Sequence, residues 1–236
     1  IYRIQAGRIW QTTALGFYNY DGGALSLRLP KGLNVDVFGG LSLVRGLNDL
    51  HHTDLISSVE SLGPRFDAYL GGVHARWRPN SILSTAFTYQ REGTRRYNDL
   101  YAERVAGSVR LLVRKATLDA EVKYDLASRT TNLARVNLTT PLGAGFRVGA
   151  GLRKYVPFFE LWTIWGAFSP VGFQEASARL DWMSPTGRAS GHVSGSKRSY
   201  ADTDADAPPE YEIRDDGWRV AAGGRITLAG GLILGG

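Results

Sequence analysis

Few residue pairs in this chain have the types and spacing that chemistry needs. His192 and Ser194 stand two apart, the separation that puts two side chains on one face of a strand. A base and a nucleophile placed so could attack an ester if Asp204 or Asp206 oriented the imidazole. Yet Ala189, Gly191, Val193 and Gly195 form the apolar set of this stretch and turn His192 and Ser194 to the other side. A pair this short also arises readily by chance, so the chain is read as a non-enzyme. Asp202, Asp204 and Asp206 alternate in DTDAD, and calcium takes several oxygen ligands. The Gly and the later Glu of an EF-hand loop are missing, however. A solvated loop is expected there, with a weak divalent-cation site as the alternative. His51 and His52 are adjacent without further ligands, which makes a poor metal site. His74 alternates beside Arg76 and reads as one more polar strand residue. With no Cys there is no thiolate metal site, disulfide or Cys nucleophile. Phosphate-binding Gly loops and zinc-protease patterns are absent too. No metal and no cofactor are expected.

What remains is charge. The 236 residues carry 28 Lys and Arg against 22 Asp and Glu, a net +6. Nucleic acid is not the expected partner, because the cations are scattered one per segment and form no stripe. Their placement must therefore be read from the elements that carry them.

Those elements are strands. In Ala116–Leu126 the apolar set Ala116, Leu118, Ala120, Val122, Tyr124 and Leu126 alternates with Thr117, Asp119, Glu121, Lys123 and Asp125. The period is two, as opposite faces of a strand require. The same period runs through Leu33–Val44, Val105–Arg114, Ala144–Arg153 and Trp218–Leu228. These runs last roughly 9–12 residues, whereas strands of soluble sheets centre near five or six. A tilted strand crossing a bilayer needs about 9–11. The apolar face mixes large residues with many Gly and Ala, which suits hydrocarbon better than a close-packed core. No window approaches the ~18 apolar residues of a spanning helix.

The connections add a second signal. Short ones are expected at Pro30–Gly32, Arg78–Ser81, Arg114–Lys115, Thr140–Gly143, Ser184–Gly187 and Ala229–Gly231. Long polar ones are expected at Gln11–Gly23, Arg45–Pro64, Glu92–Tyr101 and Lys197–Asp216. Short turns on one rim and long loops on the other mark an outer-membrane barrel. Trp10, Trp77, Tyr89, Tyr124, Trp182 and Trp218 fall near the ends of apolar faces. They would form interfacial girdles, or they are ordinary strand aromatics.

On the stretches Leu33–Val44, Val105–Lys123 and Gly143–Arg153, the sequence resembles the outer-membrane β-barrel proteins of Gram-negative bacteria, porin-like ones in particular. The resemblance is one of pattern and covers nearly the whole chain. It implies an all-β, antiparallel, up-and-down transmembrane barrel of at least twelve strands, as a single domain over residues 1–236. Such barrels usually end on an aromatic-terminated strand, whereas LILGG closes this sequence, so further strands are expected outside it. The implied location is the bacterial outer membrane. The implied partners are its lipid and lipopolysaccharide, with envelope proteins or further copies of the chain as candidates.

Fourteen strand-like segments can be counted, but that number puts the Lys197–Asp216 loop on the short-turn rim. The conflict disappears if Tyr155–Gly172 is a loop. It carries Phe159 and Trp165 on one face, Trp162 and Phe168 on the other, with Pro157 and Pro170 near its ends. As a loop it would constrict the lumen or cover the mouth; as a strand it would be buried against another protein.

If the apolar positions face lipid, their neighbours line the interior. The interior cations are then Arg28, Arg76, Arg104, Arg110, Arg114, Lys123, Arg135, Arg147, Arg153, Arg179, Arg219 and Arg225. The interior acids are Asp36, Asp119, Glu121, Glu175 and Asp181. Five acids cannot neutralise twelve cations, and unpaired Arg or Lys in a pore selects for anions. Arg104, Arg110, Arg114, Arg147, Arg153, Arg219 and Arg225 are the expected selectivity residues of a porin-like channel for small solutes. The alternative is a structural barrel that anchors a larger envelope assembly, with the aromatic segment as its docking surface.

Overall fold

A computed structural model describes residues 1–42, 68–94, 100–157, 172–200, 216–228 and 233–235. They form one 13-stranded sheet in which every strand neighbours the next in sequence. The strands are β1 (Tyr2–Thr13), β2 (Gly16–Leu29), β3 (Leu33–Ser42), β4 (Ala68–Trp77), β5 (Leu83–Thr94), β6 (Leu100–Val113) and β7 (Ala116–Asp125), followed by β8 (Thr130–Gly143), β9 (Phe146–Tyr155), β10 (Phe173–Met183), β11 (Ala189–Tyr200), β12 (Asp216–Thr227) and the short β13 (Ile233–Gly235). The described pairings are antiparallel. No helix among the described residues is long and apolar enough to cross a membrane; an up-and-down sheet of this kind crosses with its strands.

Period-two patterning sorts the side chains onto two faces. One face carries Ile4, Val37, Phe87, Val109, Val122, Leu138, Leu152, Leu180, Val193 and Val220, all of them exposed. Val220 is 77% and Leu152 65% accessible. Large apolar side chains left open in such number require a non-aqueous cover. The six aromatics expected as girdles all lie on this face. Trp77 and Trp182 sit at the ends of strands that lead into short turns. Trp10, Tyr124 and Trp218 sit near the opposite ends.

Short connections join β1–β2, β2–β3, β4–β5, β6–β7, β7–β8, β8–β9 and β10–β11. The turn Ala144–Gly145 has positive φ at both residues, the twist-matched hairpin geometry. A Cβ on Gly145 would lie 2.0 Å from the Met183 carbonyl oxygen, so no other residue fits there. Close approach also explains Gly22 and Gly40, which face each other across β2 and β3. A Cβ on Gly22 would stand 2.1 Å from the Gly39 oxygen, and glycines so placed let strands bend sharply.

Several expected connections need correction: the Glu92–Tyr101 one narrows because β5 runs to Thr94 and β6 starts at Leu100, while Ala229–Gly231 lies outside the described residues. Gln11–Gly23 is not a loop: β1 and β2 pair continuously from Tyr2↔Leu27 to Thr13↔Gly16 across a turn at Ala14–Leu15. The reason is that Phe17–Asp21 carries aromatics and polar groups on both faces, which hides the period. The β8–β9 turn lies one residue pair beyond Thr140–Gly143, because β8 continues through a register shift between Pro141 and Gly143. β11 extends to Tyr200, so the long connection starts later than Lys197. The Tyr155–Gly172 segment expected as a loop lies, between Pro157 and Gly172, outside the described residues, and Tyr155 itself ends β9. Tyr155 and Phe173 are direct register partners, so β9 and β10 are neighbouring antiparallel strands. Phe159, Trp162, Trp165 and Phe168 themselves lie outside the described residues, as do 43–67 and 201–215.

Candidate functional site

The second face of the sheet carries the cations, and the chain divides into two compact units that carry them differently. Unit 1 comprises Ile1–Val109, Glu121–Asn132 and Pro157–Pro170; unit 2 comprises Arg110–Ala120, Leu133–Val156 and Val171–Gly236.

In unit 1 the second-face positions are largely buried. Ile9, Tyr18, Tyr20, Phe38, Leu70 and Ala106 form an apolar cluster together with Leu15 of the β1–β2 turn. Tyr20 has no accessible surface, and its hydroxyl donates to Gln11 Oε1 at 2.8 Å. Arg104 is only 9% exposed and donates to the Tyr18 hydroxyl at 2.8 Å, while that hydroxyl donates to the Leu15 carbonyl. Its charge is engaged inside the protein. Ser42 donates to the buried Glu92 at 2.7 Å, and His74 Nδ1 lies 2.9 Å from Thr88 Oγ1. Arg28 and Arg76 flank Asn34 in one cross-strand row.

Unit 2 builds an open face from the registers of β8 to β12. Successive second-face positions align in rows across the strands. The first is Leu133–Tyr155–Phe173–Tyr200, and the next is Arg135–Arg153–Glu175–Arg198. Below it runs Asn137–Gly151–Ser177–Ser196–Arg219, then Thr139–Gly149–Arg179–Ser194. Arg147, Asp181 and His192 form the next row, and Arg225 pairs with Ser190 beyond it.

Charge and aromatic rows interlock. Arg198 donates to Glu175 at 2.5–2.9 Å and lies 4.1 Å from the Phe173 ring centre. From the β9 side, Arg153 lies 5.0 Å from the Tyr155 ring centre and 5.3 Å from that of Phe173. Such stacking holds a guanidinium in place without neutralising it. Arg179 pairs with Asp181 at 2.7 Å and Arg110 with Asp119 at 2.5 Å. Among the described residues, Arg147, Arg153, Arg219 and Arg225 have no carboxylate at ion-pair distance. Arg135 stands directly opposite Arg153, a like-charge juxtaposition that a sheet ordinarily avoids.

The seven arginines expected as selectivity residues thus separate. Arg147, Arg153, Arg219 and Arg225 come together on the open face of β9 and β12. Arg110 shares that face in the β6–β7 hairpin, bound to Asp119. Arg104 is buried, and Arg114 sits in the β6–β7 turn itself with φ +57°. Arg198 and the rings of Tyr155, Phe173 and Tyr200 were missed by the sequence reading. The signal was present, since Ser190, His192, Ser194, Ser196, Arg198 and Tyr200 keep strict alternation. No group of three or more His, Asp or Glu that could hold a metal occurs among the described residues.

No family model and no curated protein sequence matches the chain. Solved structures do. The chain is similar to Pseudomonas aeruginosa OccK11 (OpdR), with 13% identity, TM-score 0.51, and coverage of 99% of this chain and 70% of that one. It is similar to OccK3 (OpdO) of the same organism, with 12% identity, TM-score 0.51, and coverage of 98% and 67%. OccK5 (OpdH), again from that organism, gives 11% identity, TM-score 0.50, and coverage of 98% and 68%. These neighbours are outer-membrane porins. At such identities the likeness speaks for the fold: this antiparallel, up-and-down sheet has the fold of the porin-like outer-membrane β-barrels.

Proposed function

We propose that the protein is a passive diffusion channel of the bacterial outer membrane that favours small anions and performs no turnover chemistry. The observation that carries this reading is the second face of unit 2. Arg110, Arg147, Arg153, Arg179, Arg198, Arg219 and Arg225 stand there with Asp119, Glu175 and Asp181 as the acids among its described residues. Facing a water-filled lumen, such a surplus attracts anions and repels cations. The apolar face, with aromatics toward both strand ends, suits contact with lipid and lipopolysaccharide. The reading is tested by reconstituting the purified protein in planar bilayers under a KCl gradient. Clear openings with a reversal potential displaced toward the chloride potential are expected, and the displacement should shrink at high salt as screening shortens to a few ångströms. A potassium-side reversal potential contradicts the reading.

One observation favours a second reading, a non-conducting barrel that anchors envelope partners. The second face of unit 1 is filled by Tyr20, Phe38 and Leu70, and a filled interior passes nothing. A protein that inserts without conducting and co-purifies with other envelope proteins would support it.

A further inference from the structure

The rows of unit 2 enclose a feature that general anion attraction does not use. Between the Arg153–Glu175–Arg198 row and the Arg147–Asp181 row lies a depression of about 390 Å³, within the range of small-molecule clefts. Its floor is glycine: Gly149 and Gly151 of β9 project no side chain. A Cβ at Gly151 would lie 2.6 Å from Asn137 Oδ1 and 3.0 Å from Ser177 Oγ, so the glycine is what lets those two polar groups converge. Thr139, Ser194 and Ser196 add three hydroxyls, Arg219 and the Asp181-bound Arg179 line it as cations, and Glu175, held by Arg198, lines it as an acid. Asn137, Thr139, Ser194 and Ser196 spend no side-chain hydrogen bond on any described residue, and Arg219 has no described acid partner.

Hydroxyls donate and accept at once. A cluster of them beside an unneutralised guanidinium matches a solute that has both hydroxyls and an anionic group, and matches a bare anion less well. We propose that this depression is a binding subsite for polyhydroxylated anions, the class of sugar phosphates. The phosphate would sit on Arg219, in the bidentate geometry guanidinium offers, and the sugar hydroxyls on Ser177, Ser194, Ser196, Thr139 and Asn137. The proposal rests on the channel reading and sharpens it from an electrostatic preference to a chemical one.

The test is block of the single-channel current by glucose 6-phosphate, with cyclohexyl phosphate as a probe of similar bulk and charge but without hydroxyls. Glucose 6-phosphate should interrupt the current at about tenfold lower concentration, the gain from two or so net hydrogen bonds. The double variant Ser194→Ala/Ser196→Ala should bring the two probes to the same concentration, while Arg219→Gln should weaken both together. Equal block by the two probes on the unaltered channel, or a glucose 6-phosphate advantage that survives the serine double variant, overturns the subsite. A channel that favours chloride yet fails this test loses only the subsite; one that favours potassium loses the channel reading as well.

Discussion

The two units follow one rule of alternation and reach opposite results on the second face. In unit 1, β2 to β6 place Tyr20, Phe38, Leu70, Gln90 and Arg104 at second-face positions, and these are buried. In unit 2, β8 to β12 place Gly149, Gly151, Ser177, Ser196 and a series of arginines at the same parity, and the face stays open. The size of the neighbours, more than the number of cations, decides whether a charge is displayed. Arg104, between Glu103 and Val105, and Arg219, between Trp218 and Val220, both stand at second-face positions of their strands. Arg104 is flanked in space by Tyr18 and becomes a structural donor; Arg219 is flanked by Ser196 and keeps its charge outward.

Substitutions can break this contrast. The largest effect is expected from Phe38→Ala in unit 1. The Phe38 ring is buried and lies against Gly72, and truncating a packed aromatic costs about 3–5 kcal/mol. Urea unfolding in detergent should show a loss of that size. A loss below about 1 kcal/mol would mean that the unit 1 cluster is not a packed core. Next comes the apolar face: Leu152→Arg puts a charge where hydrocarbon is expected, at about 2–4 kcal/mol near the bilayer midplane. The same unfolding assay in lipid vesicles should register it, and a neutral result would place that face in water. Smaller again is Arg104→Gln. It removes a charged hydrogen bond worth about 1.5–3 kcal/mol and should leave the reversal potential where it was, because this guanidinium faces Tyr18. A change in ion preference without a change in stability would restore Arg104 to the conduction path.

Strands with clean alternation were legible because one side chain in two repeats a single chemical type. Thus β7 and the first part of β9 are read directly from Ala116–Tyr124 and Phe146–Arg153. Legibility failed at Phe17–Asp21, where aromatic rings fall on both faces, Phe17 on one and Tyr18 and Tyr20 on the other, and so blur the period. It failed differently at the site. That Arg153 and Arg198 flank Phe173 depends on the registers of β9, β10 and β11, and a single strand's sequence contains no register. The depression floored by Gly149 and Gly151 was hidden for the same reason. In the sequence, GAGFRVGAG reads as close strand packing; only cross-strand rows show that two of its glycines share a floor with serines from β10 and β11.

The central claim is that the unpaired arginines of unit 2 set the ion preference. Its most direct test is the reversal potential of a variant with Arg147, Arg153, Arg219 and Arg225 all changed to Glu, measured beside the unaltered protein in the same KCl gradient. The account predicts a chloride-side potential for the unaltered channel and a move across zero to the potassium side for the variant. A folded, conducting variant whose potential stays at the unaltered value would contradict it.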